Sequence, residues 1–350
     1  MSHNKSLNRP PPWEVLVSAV ISKQIRDKRK LGIVVGIFDN GKIAFRSYGR
    51  AALRGKATLN KNSIFEIGSV TKVFTAIAIA ALVRKGKLEL EDPVTKHVPE
   101  LEGGPLSGTT LESLATHTSG LPAMFLQEHI KDPLNPFKDL TERQFLDAAN
   151  VLEKLEPKPS FSPLNNYSNI GATLLGIVVS RTSGISYSDF VLREVVHPLN
   201  LGNTYFEVPE VAATKFLQGH NAELQETPHW DFKVFAPAGA LHASAVDMMK
   251  FVEANIESDS QSSESILVDL AYTQNLRAFG KDLDIGLGWF FDKKTNVHYH
   301  RGGTLGFTSI VAFQKRKKLG LVILSNTGYL GDRVLVEGIE KLIFGRDLAL

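Results

Sequence analysis

GSVTKVFTAIAIAALVRKG, residues 68–86, is the stretch of sequence on which the interpretation of this chain depends. It contains the longest apolar run of the chain, at residues 74–83, and ends in a glycine. This pattern predicts a helix over residues 69–85, because glycine commonly follows the last residue of a helix. Ser69 and Lys72 are three residues apart, so both side chains lie on one helical face. The sequence thus places a hydroxyl and an amine together where the helix N-terminus favours developing negative charge.

The Ser-x-x-Lys pair has a chemical and a structural interpretation. A serine hydroxyl is a poor nucleophile until a neighbour takes its proton, and a lysine can help only if its pKa is depressed. The same spacing occurs at Ser2 and Lys5, so the motif alone is not specific. The structural interpretation makes Ser69 a helix N-cap and Lys72 a solvated surface charge.

A second motif is Tyr167-Ser168-Asn169, and Tyr-x-Asn occurs once although the chain has seven tyrosines. A tyrosine, with a pKa of about 10, needs a nearby cation before it can act as a base. Lys72 would be that cation. The structural alternative is a tyrosine at the edge of the core, in a turn rich in Pro and Asn.

The third motif is His300-Arg301-Gly302-Gly303-Thr304-Leu305-Gly306-Phe307. Its glycines permit close approach of the backbone to a ligand. A backbone N–H here could face that of Ser69 and complete an oxyanion hole. The structural alternative is a glycine-rich hairpin loop between two strands.

In this order and at these intervals, the three motifs resemble those of the serine β-lactamase and penicillin-binding protein superfamily. The resemblance is strongest to class C β-lactamases and their esterase and D-peptidase relatives. The family motifs are Ser-x-x-Lys, Tyr-x-Asn, and Lys-Thr-Gly or His-x-Gly. Three further stretches resemble family loops, and the matches run from about residue 13 to 345: Thr116-His117-Thr118-Ser119-Gly120-Leu121-Pro122, Pro237-Ala238-Gly239-Ala240-Leu241 and Gly286-Leu287-Gly288-Trp289.

The resemblance implies a role for each catalytic residue. Ser69 would attack a carbonyl carbon and become acylated. Lys72 and Tyr167 would share the proton transfers, and which of them is the base stays open. The backbone N–H groups of Ser69 and Gly303 would form the oxyanion hole. The resemblance implies neither a cofactor nor a metal ion.

Substrate-binding residues also follow from the resemblance, with one departure. Asn169 would hold the substrate or Lys72, and His300, Gly302 and Gly303 would line the substrate site. His300 occupies the position where β-lactamases of this branch usually have a lysine that supports binding of the substrate carboxylate. A histidine is mostly neutral at pH 7, and strand alternation turns Arg301 to the opposite face. This departure favours an esterase or peptidase over a β-lactamase.

The predicted fold class is α+β, an antiparallel sheet flanked by N- and C-terminal helices and joined to a mostly helical region. Strands are predicted at 32–38, 42–48, 287–291, 307–313 and 319–324, with Asp39-Asn40-Gly41 as a tight turn. Helices are predicted at 13–25 and 332–344. We expect one catalytic domain over residues 13–345, with sheet regions at about 13–68 and 276–345 and a helical region at about 69–275. Residues 1–12 are expected to form a disordered tail.

Composition narrows the class of protein. The chain has no cysteine, which excludes thiol nucleophiles and Cys-type zinc sites. Its formal net charge of +3 implies no global attraction to nucleic acid. The basic runs at residues 26–30 and 315–318 are interpreted as solvated surface, and His298 with His300 lacks a third metal ligand. The crowded side chains Met124, Phe125, Phe137, Phe145 and Phe161 are interpreted mostly as core.

These features lead to one function hypothesis and two alternatives. The hypothesis is a serine hydrolase acting on carboxylic esters or related acyl compounds through an acyl-Ser69 intermediate. The alternatives are β-lactamase or D-amino-acid peptidase activity, and acyl transfer to an acceptor in a biosynthetic pathway. The expected partner is a small ester, β-lactam or peptide substrate, with no nucleic acid and no membrane span. A cytoplasmic location is expected, or a periplasmic or secreted one if an export signal was removed; the sequence indicates no oligomeric state.

Overall fold

The computed structural model describes residues 12–27, 30–54, 57–124, 130–152, 167–278, 280–328 and 344–345. The strands are β1 Gly32–Asp39, β2 Lys42–Gly49, β3 Ile64–Glu66, β4 Thr204–Tyr205, β5 Gly219–His220, β6 Glu226–Thr227, β7 His242–Ser244, β8 Arg277–Ala278, β9 Leu283–Ile285, β10 Phe290–Asp292, β11 Val297–Gly303, β12 Thr308–Gln314 and β13 Leu319–Ser325. The α-helices are α1 Pro12–Arg26, α2 Thr71–Arg84, α3 Leu111–Ala115, α4 Glu142–Ala149, α5 Asn169–Ser183, α6 Tyr187–Val191, α7 Ala236–Gly239, α8 Ala245–Glu257 and α9 Ser265–Thr273.

Both ends of the chain contribute to one antiparallel sheet of eight strands, in the order β2-β1-β13-β12-β11-β10-β9-β8. The tight turn between β1 and β2 forms because Asn40 and Gly41 adopt positive φ, at 48° and 84°. Strand β1 pairs on its other side with β13, with Ile33 opposite Ser325. The sheet and its helices confirm the predicted α+β class.

The two faces of the sheet bury different side chains. One face packs against α1, whose Val17 and Ile21 are fully buried beside Ile33, Val35 and Ile310. The other face packs against the helical part of the chain, where α8 lies on β1, β12 and β13. Strand alternation therefore assigns neighbouring residues of β11 to opposite sides of the sheet.

Helix α2 lies at the centre of the helical part. Its residues from Thr71 to Leu82 are buried, and it packs against α5, α7 and α9. A helix that is apolar on all sides is expected in such a position. The predicted helix over 69–85 is confirmed, with one turn of 3-10 helix at Gly68–Val70 before α2 and positive φ at Gly86.

The predicted strand over residues 287–291 is wrong in its first half. The segment Gly286-Leu287-Gly288-Trp289 is a turn, in which Gly286 N–H donates to Trp289 O at 2.8 Å, and β10 starts at Phe290. Gly288 has φ +72°, and a Cβ there would lie 3.1 Å from Lys72 O, so the turn rests on the backbone of α2. The predicted strands over 307–313 and 319–324 match β12 and β13 to within a residue.

The predictions for the two chain ends lie mostly outside the described residues, and the prediction for the first basic run is wrong at one residue. The predicted C-terminal helix over 332–344 lies outside the described residues except at Phe344, and residues 1–11 of the predicted tail also lie outside them. Lys30 is not solvated surface, because it is buried and its Nζ donates to Thr327 O at 3.1 Å and Gly328 O at 3.2 Å. No helix in the described part of the chain is long and apolar enough to cross a membrane.

Candidate active site

Ser69 lies in the 3-10 turn that leads into α2, at the seam between the sheet and the helical part. The residue before this turn, Ile67, is held from both sides: its N–H donates to Leu241 O at 3.0 Å, and its carbonyl accepts from Ser309 Oγ at 2.6 Å. Ser69 itself is partly exposed. The residues at the N-cap positions of the turn and of α2 are Ile67 and Val70, and neither makes a side-chain cap. The helix-cap interpretation of Ser69 is therefore wrong.

Lys72 is buried, with 3% of its surface exposed. Its Nζ lies 3.2 Å from Ser69 Oγ, 2.7 Å from Asn169 Oδ1 and 2.7 Å from Ala238 O. The interpretation of Lys72 as a solvated surface charge is thus wrong. Three sequence segments far apart in the chain meet at this amine.

The surroundings of Lys72 favour loss of its proton. Burial lowers the pKa of Lys72 well below its ordinary value of 10.5. The Asn169 and Ala238 oxygens can only accept, so Lys72 donates both of those hydrogen bonds. Lys72 Nζ also donates to Ser69 Oγ at 3.2 Å. Once the amine has lost a proton, it keeps two N–H groups for the Asn169 and Ala238 oxygens and has one lone pair that can face the Ser69 hydroxyl.

Tyr167 lies over the same amine. Lys72 Nζ is 4.7 Å from the centre of the Tyr167 ring. The centres of the Tyr167 and His300 rings are 6.3 Å apart. The next residue, Ser168, caps helix α5 by accepting from Gly171 N at 3.1 Å. The start of α5 thus places Tyr167 and Asn169 on either side of Ser168, both next to Lys72.

The third motif reaches the site through strand β11. Gly68 has φ +50°, and a Cβ on it would lie 2.7 Å from Gly303 N, so the backbone before Ser69 touches the end of β11. Gly302 is as tightly packed, since a Cβ there would overlap Ile67 O. Glycine at both positions is therefore required for the approach of the two chain segments. The structure brings all seven predicted site residues together: Ser69, Lys72, Tyr167, Asn169, His300, Gly302 and Gly303.

His300 is a buried, neutral imidazole. Its Nδ1 lies 2.8 Å from Arg301 O, so Nδ1 carries the proton and Nε2 bears the lone pair. Burial and the charge of Lys72 lower the pKa of His300 to about 3. The expectation that His300 is neutral at pH 7 agrees with this pKa, which lies below the pH range of an ordinary assay.

Arg301 faces the other side of the sheet, as strand alternation predicts. It pairs with Ile310, whose side chain belongs to the core beneath α1, whereas His300 pairs with Val311 in the opposite core. The Arg301 guanidinium lies 5.7 Å from the centre of the Tyr299 ring.

Two further residues, Ala238 and His117, lie at the site, although the sequence assigned neither of them a role. Ala238 supplies a carbonyl oxygen to Lys72. His117 accepts a hydrogen bond from Ser168 N at Nδ1, at 3.3 Å, and its ring centre is 4.6 Å from that of Tyr167. Both belong to stretches that resemble family sequences, and for His117 that resemblance was the signal that could have identified it.

The remaining candidate residues have other positions. His298 stacks on Phe313, with ring centres 4.9 Å apart, and the described residues include no cluster of three or more His, Asp or Glu suited to a metal ion. Phe137 and Phe145 are core residues that pack on Phe235, while Met124 packs against the core from a partly buried position. Phe125 and Phe161 lie outside the described residues.

Comparison with known proteins agrees with this geometry. The family model described as Beta-lactamase matches residues 17–342. A β-lactamase of Escherichia coli is 25% identical, over 90% of this chain and 89% of that protein, and a penicillin-binding protein of Bacillus subtilis is 26% identical over 91% and 74%. The solved structure of a β-lactamase/D-alanine carboxypeptidase from Pseudomonas syringae superimposes with a TM-score of 0.81 at 23% identity, covering 95% of this chain and 99% of that one.

The family model spans nearly the whole chain, and the fold of the Pseudomonas syringae protein covers the sheet and the helical part together. These matches agree with the meeting of the three sequence motifs around Lys72. The chain belongs to the β-lactamase family of serine hydrolases.

Proposed function

We propose that this protein hydrolyses carboxylic esters or related neutral acyl compounds through an acyl-enzyme on Ser69. The observation that carries the proposal is the buried amine of Lys72, 3.2 Å from Ser69 Oγ and bound to two oxygens that can only accept. A lysine that donates two hydrogen bonds and keeps a lone pair for a hydroxyl is arranged to take its proton.

In the first step, Ser69 Oγ attacks the carbonyl carbon while Lys72 takes the hydroxyl proton. The C–Oγ bond forms and the carbonyl oxygen becomes an oxyanion. When the tetrahedral intermediate collapses, the bond to the alcohol oxygen breaks, and the proton passes from Lys72 to the leaving alkoxide through Tyr167. In the second step, a water molecule attacks the acyl-Ser69 ester, releases the carboxylic acid and restores the Ser69 hydroxyl.

We assign the oxyanion hole to the backbone N–H groups of Ser69 and Gly303. The assignment is supported by the close approach of Gly68 to Gly303, which brings the start of α2 and the end of β11 together. Preorganised donors of this kind stabilise the charge that develops in the transition state.

The preference for neutral acyl groups rests on His300. Its only N–H is donated to Arg301 O, so the ring presents a lone pair rather than a donor. A carboxylate at this position would meet that lone pair, whereas a neutral ester presents no such charge. Arg301 faces the opposite side of the sheet, so it does not replace the missing cation.

β-Lactamase or D-peptidase activity is the second candidate. It is favoured by the names of the relatives, which include β-lactamases and a penicillin-binding protein. A panel of p-nitrophenyl esters, a chromogenic cephalosporin and a D-Ala-D-Ala peptide separates the two, and added alcohols test acyl transfer to an acceptor. Higher kcat/KM for the cephalosporin than for every ester would contradict the ester proposal.

The nucleophile is tested by covalent labelling. Incubation with a fluorophosphonate should add one adduct, located by mass spectrometry on the peptide that contains Ser69. Ser69→Ala should abolish both labelling and turnover. Ser258→Ala is the matched control, because Ser258 also contacts a lysine amine, at 2.9 Å from Lys315 Nζ. Labelling that survives in Ser69→Ala would remove Ser69 as the nucleophile.

A further inference from the structure

His117 belongs to the loop after α3, yet its side chain lies against the segment that carries Tyr167 and Asn169. It is 3% exposed, and its ring centre lies 4.6 Å from that of Tyr167. Ser168 N–H donates to its Nδ1 at 3.3 Å, so Nδ1 is unprotonated and the proton of the neutral ring is on Nε2. The imidazole therefore acts as an acceptor toward the peptide unit between Tyr167 and Asn169.

The same loop makes two further hydrogen bonds to this segment. Ser168 Oγ donates to Pro122 O at 2.8 Å, and Asn169 N–H donates to Ala123 O at 3.0 Å. With the His117 contact, three hydrogen bonds tie Ser168 and Asn169 to this loop, two from their backbone N–H groups and one from the Ser168 side chain. Because Asn169 binds Lys72 directly, the loop also determines where Asn169 Oδ1 meets Lys72 Nζ.

The backbone of His117 is in an unusual conformation. Its φ is +55°, in the left-handed region that few residues other than glycine adopt, although His and Asn are enriched there. The conformation is held by hydrogen bonds from His117 N to Leu114 O at 3.4 Å and from Thr118 N to Ser113 O at 2.9 Å. Residues held in such conformations cluster at functional sites. The left-handed turn is what directs the imidazole toward α5.

His117 also closes the space beside Lys72. A cavity of about 10 Å³ lies between it and α2 and is lined by Lys72, Thr75, Ala76, Ala115, His117 and Gly288, among others. A space of this size holds at most about one water molecule. The imidazole forms one wall of this small space beside Lys72, so a smaller side chain at residue 117 would enlarge it.

We propose that His117 is a positioning residue, whose imidazole holds Tyr167 and Asn169 against Lys72 and keeps water away from the Lys72 amine. The inference rests on the proposed function of Ser69 and Lys72. It assigns His117 no contact with the reacting atoms. His117 affects the reaction indirectly, because it sets the positions of Tyr167 and Asn169 and the solvation of Lys72.

The titratable groups that face His117 are Lys72 on α2, Tyr167 before α5 and His300 on β11. Burial, followed by the positive charge of Lys72, lowers the pKa of His117 well below 6.5. His117 is thus neutral across the range of an ordinary assay. A change in the acid limb of a pH profile then reports the ionisation of Lys72 rather than that of His117.

The test is the pH dependence of fluorophosphonate labelling of Ser69 in wild type, His117→Asn and His117→Leu. Asn tolerates positive φ and retains an acceptor oxygen for Ser168 N–H, but it removes the ring. Water then reaches Lys72 and raises its pKa, so the acid limb of the labelling rate should move up by about one pH unit, with about a tenfold loss of rate on that limb and little loss on the alkaline plateau. Ester turnover should lose kcat, with KM changed less than about threefold.

His117→Leu removes both ring polarity and acceptor, so its rate should fall below that of His117→Asn. His298→Asn is the matched control, because His298 is also buried and stacks on an aromatic ring, but away from Lys72. An acid limb in His117→Asn that coincides with wild type, or an equal shift in His298→Asn, overturns the inference alone. If wild-type Ser69 takes no adduct, the proposed function fails and the inference falls with it.

Discussion

Two lysines in different regions of this molecule have nearly the same hydrogen-bond partners. At the start of α2, Lys72 Nζ contacts a serine hydroxyl, an amide side-chain oxygen and a backbone carbonyl. At the turn between β12 and β13, Lys315 Nζ contacts Ser258 Oγ at 2.9 Å, Gln274 Oε1 at 3.3 Å and Ser258 O at 2.6 Å. The set of partners alone therefore does not distinguish a catalytic base from a structural lysine.

The two lysines differ in how deeply they are buried, and their serine partners differ in exposure. Burial lowers the pKa of Lys72 well below its ordinary value, whereas Lys315 is half-buried and the charge of Asp259 opposes the decrease in its pKa. Ser69 is partly exposed in the seam, but Ser258 is buried and donates its hydroxyl to Asn255 O at 2.9 Å. A reactive pair needs a buried amine and a hydroxyl that a substrate can reach.

The largest expected effect follows from removing each lysine in turn. Lys72→Ala should lower kcat/KM for a p-nitrophenyl ester by about 10²-fold or more, the scale of a general-base step. Lys315→Ala should leave kcat/KM unchanged and lower the free energy of unfolding by about 1 to 2 kcal/mol through its lost hydrogen bonds. Chemical denaturation of both variants separates the two effects. Equal kinetic losses would show that Lys72 has no special role.

Tyr167 should be coupled to Lys72, because its ring lies against the Lys72 amine, with Nζ 4.7 Å from the ring centre, and the proposed proton transfers use both residues. Tyr167→Phe should also cost about 10²-fold in kcat/KM. The double variant should be little worse than the poorer single variant, since groups that act as a unit give non-additive losses. Losses that multiply in the double variant would contradict the shared path.

Acid should lower the free energy of unfolding, because the buried histidines of β11 must become protonated. The contribution of His298 is the simplest to measure separately. Burial lowers the pKa of His298 from 6.5 to about 4, so the native state binds fewer protons than the unfolded state between these values. The free energy of unfolding is therefore unaffected by the titration of His298 above pH 6.5. It decreases by about 3 kcal/mol in total as the pH falls from 6.5 to 4. His298→Phe, which keeps a ring against Phe313, should remove that part of the pH dependence.

The measurement is the free energy of unfolding by denaturant at pH 7 and pH 4.5. His197→Gln is the control, because it also removes a histidine, but an exposed one. A pH dependence that is the same in His298→Phe and wild type would mean that folding does not change the pKa of His298.

The smallest expected effect concerns specificity. His300→Lys should shift the ratio of kcat/KM for a cephalosporin over an ester by about 1 kcal/mol, or about fivefold, because a lysine can donate a charge-assisted hydrogen bond to a carboxylate. In wild type the ratio should stay flat from pH 8 to pH 5, since the pKa of His300 is about 3. A ratio that rises on acidification, or one that is indifferent to residue 300, would place the control of specificity elsewhere.

The order of the motifs was sufficient to predict the fold and the side chains of Ser69, Tyr167 and Asn169 that meet at Lys72. Family resemblance carries this information, because the intervals between motifs reflect one topology. The sequence could not indicate that Ala238 supplies a carbonyl oxygen, since a backbone contact leaves no side-chain signature. It also could not give the pKa of His300, because burial by distant segments sets that value.

Local patterns misled where tertiary contacts override them. The alternating apolar residues at 287–291 favour a strand, but the contact of Gly288 with the backbone of α2 makes a turn. Lys30, in a basic run, is buried by carbonyls almost three hundred positions away in the sequence, at Thr327 and Gly328. Neither contact is visible in a local window of sequence.

The role of Lys72 as the base that activates Ser69 depends on its ionisation, which can be measured. With isotope-labelled lysine, one NMR titration follows Lys72 and Lys315 in the same sample, and Lys72→Arg and Lys315→Arg assign the two resonances. The account predicts that Lys72 titrates well below 10.5 and below Lys315. A Lys72 resonance that titrates at or above 10.5 would contradict the assignment of Lys72 as the base that activates Ser69.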